Sequence, residues 1–201
     1  MFSIIQAAGW PIYPLLFASV IAVALIIERS TALRRTKIVP AGLLASVVGD
    51  YRQSGVTDPL LQRLEGHSPL GRVFAAGLRN VKSSREVMRE AIEEAGRGAA
   101  HEMERFLTSL GTIASISPLM GLFGTVVGMI EIFGSPTASG NNPQALAHGI
   151  SVALYNTGFG LIIAIPSMIF YRHFRSMIDG LAIEMEQQAV KLVELVHGER
   201  K

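Results

Sequence analysis

Three stretches of the chain carry no charged residue: Trp10 to Ile27, Leu107 to Ile130 and Ile150 to Tyr171, of 18, 24 and 22 residues. A helix needs about 20 apolar residues to cross a bilayer core of about 30 Å. A buried helix of a water-soluble core would show a polar stripe with a charge at most turns, and none of the three does. The pattern predicts membrane-spanning helices over residues 10–27, 107–132 and 150–171. The first is not read as a cleavable signal, because Met1 to Gly9 has no Lys or Arg and Glu28-Arg29 follows the apolar run at once.

Elsewhere the apolar positions recur at helical spacing. Pro40 to Arg52 places Leu43, Leu44, Val47, Val48 and Tyr51 on one face. Ser68-Pro69 reads as an N-cap with proline in the first helical position, and Ser83 to Glu86 as a capping box. Beyond that box, Met88, Ile92, Ala95, Ala99, Met103, Phe106 and Leu110 form a stripe that runs into the second apolar stretch. It predicts one helix of about 45–50 residues, roughly 70 Å long at 1.5 Å per residue. A matching stripe of Met177, Leu181, Met185, Gln188, Leu192 and Leu195 leaves the third stretch. The expected fold is an all-α membrane protein with three spans, the second and third extended as a cytoplasmic helical bundle.

Charge placement sets the orientation. Of the 18 Lys and Arg, 13 lie between Glu28 and Phe106 and the other 5 between Arg172 and Lys201. Basic residues collect on the cytoplasmic side. Residues 1–9 and 133–149 are therefore expected to be periplasmic, and the loop 28–106 and the C-terminal helix 172–201 cytoplasmic. Hydrophobic residues make up 49% of the chain and charged ones 17%, which excludes a disordered chain. The formal charge of +2 gives no case for nucleic acid. The absence of cysteine removes disulfides, thiolate metal sites and cysteine catalysis. The five histidines are scattered, and no phosphate loop or metal-ligand spacing occurs. The reading is not an enzyme, with no cofactor and no metal.

Small and polar residues interrupt the spans. Gly121, Gly124 and Gly128 lie in the second. Gly149, Ala153, Thr157, Gly160 and Ala164 share a face of the third. Small residues let helix backbones approach in lipid, so both faces point to other helices, read here as other copies. Thr125 and Thr157 lie mid-span, and Asn156 is an amide that seeks a helix or water rather than lipid. Glu131 and His148 are read as rim residues.

The second span, Ile113 to Met129, resembles the MotA/TolQ/ExbB proton-channel family, closest to its ExbB and TolQ members. So does the third, with Gly149-Ile150, Ala153-Leu154, Thr157, Gly160-Leu161, Ala164-Ile165-Pro166, Tyr171 and Phe174. Ile27-Glu28-Arg29 and Ser68-Pro69-Leu70 are similar too. The resemblance implies a bacterial inner-membrane homopentamer whose second and third helices line a pore. An ExbD/TolR-like partner with a single span would place an aspartate there, Thr125 and Thr157 would be the pore threonines, and Asn156 is read beside them on the proton pathway. Proton flow would drive a TonB- or TolA-like protein. Val152 stands where many members have glutamate, and Ser117 where alanine is usual. The alternative from another class is a non-conducting membrane scaffold that binds a cytoplasmic partner.

Overall fold

The computed structural model describes residues 9–134 and 143–198. Of the segments expected to be periplasmic, residues 1–8 and 135–142, with Ser139, lie outside the described residues; residues 133–134 continue one helix and 143–149 begin the next. Among the described residues there are eight helices and no strand: α1 Ile12–Ala32, α2 Arg35–Ile38, α3 Leu43–Ser54, α4 Asp58–His67, α5 Pro69–Arg79, α6 Arg85–Met103, α7 Leu107–Gly134 and α8 Pro143–Val196. Three helical stretches are long and apolar enough to cross a membrane, in α1, α7 and α8. The chain is an all-α membrane protein.

The chain divides into two compact units, one of residues up to Arg29 with Phe106–His173, the other of Ser30–Arg105 with Phe174–Lys201. In the first unit, α1, α7 and the first part of α8 turn large apolar side chains outward, among them Phe17, Val20, Leu122, Phe133, Ile162 and Ile169. In water so broad a patch would drive aggregation, but against lipid it costs nothing. Ile12, Leu15, Leu110 and Ala114 are buried between the helices.

The second unit has an ordinary soluble core. Val47 and Val48 of α3 are buried, on the face their spacing predicts. Ser68 caps α5, its Oγ accepting from the Gly71 N–H at 3.1 Å, and Pro69 opens the helix where no N–H is needed. A Cβ on Gly71 would stand 2.3 Å from the Leu64 carbonyl oxygen, so the corner between α4 and α5 closes only around glycine. Helix α5 packs on α4 and α6 and buries Phe74 completely. From α8 come Phe174, Ile178, Leu181, Met185, Ala189, Leu192 and Val193. That face is wider than the single stripe read from the sequence. Arg35 forms a two-pronged pair with Glu184, Nε donating to Oε2 at 2.8 Å. The guanidinium holds the Glu184 carboxyl below the usual carboxylate range.

Two local expectations need correction. The N-cap of α6 is Ser84, not Ser83: Ser84 is extended and its Oγ accepts from the Val87 N–H. The capping box is therefore not formed, since the third helical position is Val87; Glu86, one residue earlier, bonds its own backbone N–H and Ser84 instead, which lowers its pKa. The single long helix is also interrupted. Glu104, Arg105 and Phe106 leave the helical pattern, and Phe106 has φ 64°, a left-handed conformation that strains a residue with a Cβ. Phe106 is thereby turned out of the stripe and is 39% exposed. Its ring lies 5.5 Å from the guanidinium carbon of Arg29. That attraction to the ring face offsets part of the strain. Arg29 is only 6% exposed, and its Nη2 donates to Glu28 Oε1 at 2.6 Å. Helix α1 continues past this pair to Ala32.

Candidate functional site

Helices α7 and α8 carry the polar and small residues of the spans. Proline stands inside both helices, Pro118 in α7 and Pro166 in α8. Each removes one N–H from the helical ladder. Beside them, Ser117 Oγ donates to the Ile113 carbonyl and Ser167 Oγ to the Ile163 carbonyl, both at 2.7 Å. Both serines are buried, so the hydroxyls settle on their own helices.

The seam between the two helices is closed by glycine. A Cβ on Gly124 would meet Asn156 Cβ at 2.5 Å and Cγ at 2.6 Å. One on Gly160 would meet the Ser117 carbonyl oxygen at 2.6 Å, and one on Gly121 the Asn156 carbonyl oxygen at 2.8 Å. Gly128 is looser, with its nearest neighbours, Gly149 O and Val152 Cγ1, at 3.3 and 3.4 Å. Ala153 and Ala164 are buried on α8. The sequence reading turned these small faces towards other copies. Here Gly121, Gly124 and Gly160 serve the approach of two helices of one chain.

Asn156 is 0% exposed. Its side chain fills the notch left by Gly124, and Nδ2 donates to the Val152 carbonyl at 2.9 Å. Val152 is buried too, with Cγ1 towards Gly128.

The two threonines sit differently. Both are half-exposed. Thr125 Oγ1 donates to the Leu122 carbonyl at 2.7 Å, within its own helix. Thr157 Oγ1 reaches across to the Gly121 carbonyl at a long 3.5 Å. Gly121 precedes Thr125 by one helical turn, about 6 Å along the axis. The structure thus brings Thr125 and Thr157 to neighbouring levels on two packed helices, each hydroxyl keeping lone pairs for another group. Asn156 lies inside the seam, between the helices, rather than on its open edge.

No Asp, Glu, Lys or Arg occurs in residues 107–130 or 150–171. Glu131 is exposed near the C-terminal end of α7, and the side chain of His148 lies outside the described residues. Among the described residues no group of three or more His, Asp or Glu is placed to hold a metal.

Sequence reasoning missed the Arg29–Phe106 stacking and the Arg35–Glu184 pair. The first follows from a left-handed Phe106 that no residue type announces. The second joins residues 149 positions apart, and no local pattern carries it.

Residues 65–187 match the model of the MotA/TolQ/ExbB proton channel family. The chain is 34% identical over 200 residues to a putative biopolymer transport protein, ExbB-like 3, of Synechocystis, covering 96% of this chain and 92% of that protein. It is 30% identical over 184 residues to the Tol-Pal system protein TolQ of Pseudomonas aeruginosa, covering 83% of this chain and 78% of TolQ. Biopolymer transport protein exbB1 of Vibrio cholerae is 44% identical over a shorter 70 residues, 34% of this chain and 31% of that protein. With three apolar helical stretches and a glycine-closed pair among them, the chain belongs to the MotA/TolQ/ExbB proton channel family and is of its ExbB/TolQ kind.

Proposed function

We propose that the protein is the channel subunit of a proton-driven motor in the bacterial inner membrane. It assembles as a homopentamer around the single span of an ExbD/TolR-like partner, and couples proton-motive force to a TonB- or TolA-type protein. The observation that carries this reading is the pair of half-exposed hydroxyls, Thr125 and Thr157, beside a closed seam in charge-free spans. A permanent charge at that depth costs about 2.5–3.5 kcal/mol on insertion scales. A carboxyl that alternates between neutral and ionised avoids part of that cost. Threonine suits both states, donating to the carboxylate and accepting from the acid. This chain lacks such a carboxyl at mid-span, and Val152 does not supply one. The titrating group therefore comes from the partner.

The test is proton flux in liposomes containing this chain with and without a single-span partner bearing a membrane aspartate. Flux is expected only with the partner. Strong flux from the homo-oligomer alone would place the titrating group elsewhere. No flux in either case would favour the non-conducting scaffold.

Orientation is tested separately, and the lack of native cysteine makes single-cysteine probes clean. Ser83→Cys uses an exposed position next to the α6 cap, not the cap itself. It is expected to react with an impermeant maleimide only after permeabilisation, and Ser139→Cys without it. The opposite labelling would reverse the topology drawn from the basic residues.

A further inference from the structure

Asn156 of α8 meets two of the seam glycines of α7 at once. A Cβ on Gly121 would stand 2.8 Å from the Asn156 carbonyl oxygen and 3.0 Å from Thr157 Cα. One on Gly124 would stand 2.5 Å from Asn156 Cβ and 3.0 Å from its Nδ2. The backbone of Asn156 thus lies against one glycine, and its side chain fills the notch of the next, one turn along α7. The amide cannot turn there. It is buried completely, and Nδ2 donates to the Val152 carbonyl at 2.9 Å, which fixes the plane of the whole group. Burying an amide costs free energy unless it is hydrogen-bonded, and an apolar side chain would fill the notch without that cost. What the amide adds is a rigid wedge. Were α8 to rotate or slide on α7, Cγ and Nδ2 would be driven into Gly124 or drawn out of the notch.

The residue that follows needs such a fix. Thr125 is held by its own 2.7 Å bond to the Leu122 carbonyl. Thr157 reaches the Gly121 carbonyl at 3.5 Å, beyond the roughly 2.5–3.0 Å of a normal hydroxyl bond. That contact is too long to set the hydroxyl's place. Successive helical residues are about 100° apart, so a side chain wedged in the seam at 156 turns the one at 157 towards the seam's edge. The place of the Thr157 hydroxyl therefore depends on the rotation and height of α8, and Asn156 sets both.

We propose that Asn156 is a positioning residue for proton transfer: it handles no proton itself and holds the Thr157 hydroxyl where the partner's carboxyl meets it. This rests on the reading of Thr157 as a hydroxyl of the proton path. It moves Asn156 from the path, where its polarity alone puts it, to the frame behind the path.

The experiment uses the full chain assembled in liposomes with a single-span partner whose membrane aspartate is isotope-labelled. That carboxyl is followed through a pH titration by infrared difference spectroscopy, which needs no turnover. Thr157→Val is expected to raise the midpoint by about one unit or more, a tenfold or larger change in the protonation equilibrium. Asn156→Ala keeps the Cβ against Gly124 and removes the wedge. It should raise the midpoint too, and lower coupled flux by up to about a hundredfold, the cost of misplacing a group by about 1 Å. With both substitutions together the midpoint should equal that of Thr157→Val alone, because a residue acting through another adds nothing once the other is gone. Asn156→Ser puts an oxygen near the place of Cγ that can donate to the Val152 carbonyl, as Ser167 does to that of Ile163. It should recover about half of the shift. An unmoved midpoint in Asn156→Ala beside a raised one in Thr157→Val would overturn the proposal and leave the proton path standing. Additive shifts would overturn it as well, since Asn156 would then act on the carboxyl directly. So would loss of assembly in Asn156→Ala, which would make the amide a packing group. An unmoved midpoint in Thr157→Val would instead strike the proton path, and this proposal with it.

Discussion

Gly124→Ala and Gly160→Ala should each destabilise the protein by at least about 2 kcal/mol, within the range for forcing one extra carbon into a packed interior. The clash distances are 2.5 Å to Asn156 Cβ and 2.6 Å to the Ser117 carbonyl oxygen, closer than real Cβ atoms come to anything. Neither obstacle can swing away. Asn156 Cβ is fixed to its backbone, and Ser117 O is backbone. The two helices must separate, which loses dispersion contacts along the seam, and in lipid no hydrophobic drive restores them. Gly158→Ala is the control: it lies on the same helix with nothing within 4 Å of its Cβ, and should be neutral or slightly stabilising. Gly128→Ala should fall between, because 3.3 Å to Gly149 O asks for only a small adjustment. Thermal unfolding in detergent and native mass measurement check the series. Wild-type stability in Gly124→Ala would show that the seam is looser than drawn. An oligomer lost by Gly128→Leu, with the chain still folded, would return that glycine to contacts between copies.

The spans were legible because nothing but a membrane explains runs without charge. Helix α7 begins at Leu107, where the second uncharged run begins. The Ser68-Pro69 start of α5 was legible as well, since cap and proline act within one turn. What sequence could not supply was the partner of each face. Gly124 announces a close approach but not to what, and only coordinates place Asn156 in its notch. Asn156 was read as a polar group seeking company, and it finds some within its own helix, at the Val152 carbonyl. The break at Phe106 was invisible for a different reason. Its apolar side chain fits the stripe, and left-handed backbone in a phenylalanine runs against the residue's own preference.

Thr125→Val and Thr157→Val should each stop energised function while expression, folding and assembly persist. Valine keeps the branched shape and removes only the hydroxyl. The structural loss is small in both cases. Thr125 returns its bond to a carbonyl of its own helix, a kind of bond that adds little to membrane helices. The Thr157 contact at 3.5 Å is longer than a strong hydroxyl bond. The functional loss is larger, because a hydroxyl donating to an ionised carboxylate is worth about 1.5–3 kcal/mol. That is about a tenfold to hundredfold change in the protonation equilibrium of the partner's aspartate. The sign follows. Donors to the carboxylate stabilise its charged form and lower its pKa, so their removal raises it. In each valine variant any residual flux should therefore have its midpoint shifted to higher pH, by about one unit or more. Thr112→Val is the control, since its hydroxyl also bonds a carbonyl of its own helix, Thr108 O at 2.8 Å, but lies two turns or more before the seam glycines. It should leave both flux and pH profile unchanged. Full activity with an unshifted profile in both Thr125→Val and Thr157→Val would remove these hydroxyls from the proton path. A failure to assemble would make them structural instead.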